Sequence, residues 1–242
     1  MKPYYQDKYA TIYHGDCLEL LPEMPKVDLV LTDPPYGAKQ AEWDNEKPLE
    51  AVWNLIFDVL VDGGVLYYWG FWQCADWVLS NGKRVGLSPQ SRIVWWFRTG
   101  VPQKKAFRED AENCWYFSKG EPNTFNFENY NEPYEDENNY KRYGRTGKHV
   151  GTVWQHERIF HNHPENCGHE TQKPIELFEK IVGLSSNVDD LILDPFGGSC
   201  TTAVAAKQLN RKCIVIEIEE KYCEIGAKRL SQEVLDLESS TT

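Results

Sequence analysis

No stretch of the 242 residues approaches the ~18 consecutive apolar side chains that a membrane-spanning helix needs. The opening Met1-Lys2-Pro3-Tyr4 has no apolar signal-peptide core, so the expected location is the cytoplasm. Internal repeats are absent, which excludes a solenoid. Seven cysteines are scattered and odd in number, without the spacing of a small disulfide scaffold, and fit a reducing compartment. Basic charge is in short supply as well. Acidic side chains number 37 against 26 basic ones, for a net charge of −11, an awkward total for a chain that handles a polyanion. What remains is a hydrophobic content of 41% and a length suited to one domain, 1–242, with a full core.

The most organised stretch is Val27-Asp28-Leu29-Val30-Leu31-Thr32-Asp33-Pro34-Pro35-Tyr36-Gly37. Its apolar run reads as a buried parallel strand. Two prolines end it, since neither can continue a helix or donate to a sheet, and both fix φ. A carboxylate (Asp33), the carbonyls of Pro34 and Pro35, and the Tyr36 ring are therefore held at the C-terminal edge of a strand, where ligands bind in open α/β sheets. A second strand, turn and helix start follows at Leu191-Ile192-Leu193-Asp194-Pro195-Phe196-Gly197-Gly198-Ser199-Cys200-Thr201-Thr202. Asp194 ends that strand, Gly197 and Gly198 let backbone approach a ligand, and the helix start presents free N–H groups. Glu217 then ends the strand Cys213-Ile214-Val215-Ile216-Glu217, about 20 residues after the glycines, where an acid hydrogen-bonds ribose hydroxyls. The G-x-G-x-x-G of nicotinamide-dinucleotide sites is missing, and such a site leaves Asp33 to Tyr36 unexplained.

Asp33-Pro34-Pro35-Tyr36 resembles the signature of the DNA amino-methyltransferases, which methylate adenine N6 or cytosine N4 from S-adenosylmethionine. The 191–202 segment resembles that family's Phe-x-Gly-x-Gly turn, and the order of the two motifs is similar to the permuted β class. The resemblance implies a Rossmann-like α/β methyltransferase fold: a mostly parallel twisted sheet of about seven strands, helices on both faces and one antiparallel strand. It implies that Asp194 binds the cofactor's methionine ammonium, flanked by Pro195 and Ser199, with Phe196 near the sulfonium and Ile218 beside the Glu217–ribose contact. Asp33-Pro34-Pro35-Tyr36 becomes the catalytic group, Asp33 also bordering the cofactor. Thr171-Gln172-Lys173-Pro174 resembles the segment beside the methionine end, so Thr171 and Lys173 join the cofactor site. Asp16, beside Cys17, has two open readings: a helix N-cap with Glu19 three residues on, or the family's acid against the cofactor's adenine amino group. Cys200 stands where the family pattern has its last glycine, and reads as a small packing residue because N-methylation needs no covalent enzyme intermediate. The expected substrate is double-stranded DNA with its target base flipped out, adenine preferred because an Asp opens the motif, with cytosine N4 as the alternative. A module that binds cofactor and DNA with little activity is the other reading. A homodimer and a cognate restriction endonuclease stand as open partner assignments.

Between these motifs, 38–47 reads as a polar loop able to close over substrate. Residues 49–61, 71–79, 175–182 and 219–237 carry helical periodicity, and 65–69, 92–97 and 113–117 read as strands. Trp69 and Phe71, at a strand end, are expected to line a base pocket. Residues 120–170 are rich in Asn, Glu, Tyr, Gly and His, and read as a target-recognition insertion with a short strand at 150–154. Charge is segregated there: 121–137 holds six acids and no Lys or Arg, whereas 138–158 holds Lys141, Arg142, Arg145, Lys148 and Arg158 against Glu157 alone. With a second basic group at Arg98, Lys104, Lys105 and Arg108, this suggests a DNA-facing groove. His161, His163, Cys167 and His169 are close enough in sequence to raise a zinc site. They lack paired C-x-x-C or H-x₃-H spacing, and no metal is expected.

Overall fold

The computed structural model describes residues 1–36, 50–102, 104–130, 132–133 and 147–239; the 38–47 loop expectation and Lys141, Arg142 and Arg145 lie outside them. Eleven strands occur among the described residues: β1 Tyr5–Gln6, β2 Ala10–His14, β3 Val27–Thr32, β4 Leu60–Gly70, β5 Ser88–Val101, β6 Glu109–Ser118, β7 Glu132–Pro133, β8 Gly147–Lys148, β9 Val153–Gln155, β10 Leu191–Asp194 and β11 Lys212–Glu217. The α-helices are α1 Cys17–Leu20, α2 Ala51–Val59, α3 Ala75–Arg84, α4 Ile175–Ser185, α5 Thr201–Gln208 and α6 Glu220–Ser239.

Nine strands form one sheet in the order β1-β2-β11-β10-β3-β4-β6-β5-β9, and β7 pairs only with β8. The seven inner strands are the expected set, with β6 antiparallel to both of its neighbours. Two short edge strands make up the difference. β1 folds back on β2, and β9, from the expected insertion, pairs parallel with β5. Part of 120–170 is thus the rim of the sheet.

Alternation along the strands explains the two layers of helices. Val65, Tyr67 and Trp69 join a cluster with Leu177, Phe178 and Ile181 of α4, Ala203 and Val204 of α5 and Cys223 of α6. Leu66 and Tyr68 face the other way, against Val52, Trp53 and Ile56 of α2 and Val78 of α3. Burial on both faces is why these strands read as near-continuous apolar runs. Helix boundaries shifted where local turns intervene: a 3₁₀ turn at Trp72–Cys74 delays α3, which then runs on to Arg84.

Candidate active site: two cavities meeting at one strand tip

Register fixes the acids. Leu193 pairs with Val30 across β10 and β3, Asp194 with Val215 across β10 and β11, and Glu217 with His14 across β11 and β2. Parallel strands β11, β10 and β3 therefore end side by side, bringing Glu217, Asp194 and Asp33 to one edge. Asp33 and Asp194, 161 positions apart in sequence, line the same cavity of about 250 Å³, together with Phe196, Gly198, Glu217 and Tyr222.

Asp194 is 3% exposed and surrounded by neutral donors. Thr32 Oγ1 donates to its Oδ1 at 3.1 Å, the Phe196 N–H to the same oxygen at 3.1 Å, and Thr202 Oγ1 to Oδ2 at 2.5 Å. Burial wins over these hydrogen bonds and pushes its carboxyl up to about 7. Glu217 is also buried and raised by burial; its carboxylate accepts from the Gly198 N–H at 2.6 Å and the Glu219 N–H at 2.7 Å. The turn between them is packed as tightly as a glycine pair allows. A Cβ on Gly197 collides with Val215, and Gly198 has φ +48° with His169 Nε2 3.0 Å from where its Cβ would sit. The first glycine thus serves a close strand contact while also lining the cavity. His169 is held neutral, lowered to about 4 by burial.

Cys200, at the helix N-cap, adopts φ +58°. That left-handed conformation is where a glycine is comfortable and costs another residue about 1 kcal/mol. The thiol is fully buried, and a Cβ on Gly226 of α6 would collide with it. The departure at 200 is thus matched by a glycine in the facing helix.

Asp33 is different. Its side chain is 20% exposed, and Lys173 Nζ donates to Oδ2 at 2.6 Å. Tyr36 Oη donates to Oδ1. Lys173 is buried and also lies 3.2 Å from Oε2 of Glu112, itself buried on β6. Burial alone lowers a lysine, but the two acids outweigh it and hold Lys173 above its ordinary value. A second cavity opens here, lined by Asp33, Pro34, Pro35 and Tyr36 on one side and Trp95, Glu112, Arg158 and Ile159 on the other. Its free space is about 30 Å³, enough for water but not for a base. Asp33, Pro35, Thr171 and Lys173 border both cavities.

The chain was compared with known proteins. A family model described as DNA methylase matches residues 27–228. The chain belongs to the DNA methylase family. This methylase is 33% identical over 253 residues to the type II methyltransferase M.BglII of Bacillus subtilis, covering 92% of this chain and 69% of that one. It is 30% identical to the DNA adenine methyltransferase YhdJ of Escherichia coli (strain K12), covering 91% and 82%. The crystal structure of the M1.HpyAVI–SAM complex shares the fold with a TM-score of 0.69 at 24% identity, covering 91% of this chain and 98% of that one.

Several sequence expectations are relocated. Trp69 does not reach either cavity; its ring lies parallel to Phe178 of α4 with centroids 5.9 Å apart, fully buried. It sits at a core-facing position of β4, and the pocket wall expected of it is supplied by Trp95. Phe71 packs edge-on to Tyr36 at 4.9 Å and supports that ring from behind. Asp16 caps α1, accepting from the Leu18 N–H at 2.8 Å, and neither it nor the buried Cys17 lines a cavity. Pro195 is also off the cavity wall, whereas Ser199 and Ile218 are on it. Lys104, Lys105 and Arg108 are exposed at the β5–β6 turn and Lys148 is exposed on β8. Of the candidate zinc group, His169 lines the cofactor-sized cavity and Cys167 bonds Gln172.

The sequence reading missed Glu112, Phe178 and Tyr222. Glu112 gave no signal, since it stands in the acidic run Glu109-Asp110-Ala111-Glu112, and only the register of β6 buries it beside Lys173.

Proposed function

We propose that this methylase transfers a methyl group from S-adenosylmethionine to the exocyclic N6 of an adenine flipped out of double-stranded DNA. The observation that carries the reading is the junction: two cavities that share Asp33, Pro35, Thr171 and Lys173. The larger suits the cofactor by the chemistry of its walls, which offer two buried carboxylates, Asp194 and Glu217, and aromatic faces at Phe196, Phe178 and Tyr222. A buried acid near neutrality with only neutral donors is completed by a cation, and the cofactor's ammonium is that cation. Glu217 would hold the ribose hydroxyls and Phe196 would lie against the sulfonium end. Bound there, the cofactor would supply an electrophilic methyl group.

At Asp33 the chain's own task is to orient a poor nucleophile. The N6 lone pair of adenine is delocalised into its ring. Hydrogen bonds from both amino hydrogens, to Asp33 and to the Pro34 carbonyl, draw that nitrogen toward tetrahedral geometry and expose the pair. Catalysis is then positioning and electrostatics. Lys173 supplies the countercharge beside Asp33 and fixes its Oδ2 with a hydrogen bond, leaving the carboxyl aimed at the base. The methylated nitrogen carries one proton too many and is a strong acid, so even an ion-paired carboxylate takes that proton late and passes it to water. Tyr36 stacks on the base, whose extrusion costs a few kcal/mol. Admitting the base moves Arg158, Ile159 and Gln172, all in the loop leading to α4.

Adenine is favoured over cytosine by the Asp at the head of the motif, and the relative YhdJ is described as a DNA adenine methyltransferase. Residues around 120–170 supply sequence recognition, with Lys104, Lys105, Arg108, Lys141, Arg142, Arg145 and Lys148 on the phosphates. The type II relatives point to a cognate restriction endonuclease. Digesting DNA treated with the methylase to nucleosides and weighing the product tests the reading. N6-methyladenine is expected; N4-methylcytosine, or no methylated base, overturns it.

A further inference from the structure

Strands β5 and β6 make the longest hairpin in the sheet, 14 and 10 residues. Trp95 and Glu112, paired across it, form one wall of the smaller cavity. Beyond them the ribbon continues past Gly70, where β4 ends opposite Asn113, to a turn carrying Lys104, Lys105, Phe107 and Arg108. Phe107 is 96% exposed. Left in water, such a ring forgoes the gain of burial, and it adds nothing to either core. Lys104 and Lys105 beside it are exposed, while Arg108 is drawn to Asp110 at 3.0 Å and Glu109 accepts from Trp72 Nε1 at 3.3 Å. The acids of the turn are thus occupied at its base, leaving its tip basic and aromatic. Phe107 and Glu112 are five positions apart, at most ~17 Å along a strand, comparable with the ~12 Å width of the major groove.

Resting on the reading of the smaller cavity as the base pocket, we infer that Phe107 is a wedge that enters the duplex beside the target and fills the gap left by the extruded base, with Lys104 and Lys105 on the flanking phosphates. An apolar ring is the right occupant of that gap. It restores the stacking lost on extrusion without reading sequence, and inserted Phe side chains unstack base steps in this way. The lysines hold the ribbon against the backbone by neutralising charge.

The test uses the full chain and two duplexes carrying the methylation site mapped by sequencing modified genomic DNA. One is fully paired; in the other the target adenine faces an abasic position, so that unpairing is already done. Phe107→Ala is expected to lower kcat/KM on the paired duplex by roughly 10–100-fold and by less than about threefold on the abasic one, with an unchanged melting temperature because the ring is exposed. Phe107→Trp restores the rate. Lys104→Ala/Lys105→Ala weakens binding to both duplexes equally and lowers the salt slope by up to about two. A Phe107→Ala rate within about twofold of wild type on paired DNA, or an equal loss on both duplexes, overturns the wedge while the methylase assignment stands. A wild-type chain that methylates neither duplex overturns both.

Discussion

The two acids at the meeting strand tips make an instructive pair. Asp194 is buried among hydroxyls and N–H groups and is pushed up to about 7. Asp33, on the adjacent strand, is partly exposed and already has its cation in Lys173. A carboxylate surrounded by neutral donors binds a charged ligand, because the ligand brings the missing countercharge. A carboxylate with a built-in cation needs no charge from its ligand, so it suits hydrogen bonds from a neutral amino group. On the function proposed above, one strand tip is fitted to the cationic cofactor and the other to the neutral base.

Substitutions that equalise the two tips test this contrast. Asp33→Ala has the largest expected effect: labelled-methyl transfer to DNA falls by at least ~10²–10³-fold, while calorimetry finds cofactor affinity within a few-fold of wild type. Asp194→Asn reverses that split, weakening cofactor binding by roughly 10–100-fold, the loss of one charge-assisted contact. The pH dependence separates the tips further. With its folded value raised above the ordinary 3.8, Asp194 holds its proton more tightly in the native state. Stability therefore declines as pH rises from about 4 to about 7, and the cofactor, which needs the charged form, gains affinity over the same window. Below pH 7 that gain is up to about tenfold per unit, and it vanishes in Asp194→Asn; a flat wild-type profile contradicts the assignment.

Smaller effects probe the supports. Glu112→Gln leaves Lys173 with Asp33 alone and is expected to lower methyl transfer about fivefold, near 1 kcal/mol, with cofactor affinity unchanged. Single-turnover rates against calorimetric affinities check that split. Cys200→Gly relieves the left-handed backbone but empties the space against Gly226. These offset, so the melting temperature moves by no more than ~2–4 °C.

Much of this architecture is legible in the chain because strands buried on both faces leave unbroken apolar runs, and Asp33 and Asp194 mark where such runs stop. The seven inner strands follow from that pattern. The edge strands are less legible: Tyr5–Gln6 is too short for any periodicity and pairing alone defines it, while Val153–Gln155 overlaps the strand expected at 150–154 but is shifted toward its C-terminal end. Trp69 sits near a strand end, which suggests a pocket wall, but alternation along β4 points its ring at Phe178. Lys173 was legible as a site residue, yet its partner Glu112 was not, since the ion pair joins residues from separate strands and loops. His169 looked like a metal candidate by composition, and only the turn at Gly198 reveals it as a wall of the larger cavity.

The decisive measurement concerns the shared border at Asp33. A bisubstrate compound, adenosine joined through N6 by a short linker to the methyl-donor position of a cofactor analogue, should occupy both cavities at once. Its dissociation constant is expected to be at least ~10²-fold below that of the cofactor analogue alone; Asp33→Ala should erode the difference, whereas Asp194→Asn should weaken both compounds alike. Binding no tighter than the cofactor half, in the wild-type chain, would mean that the two cavities do not serve one reaction.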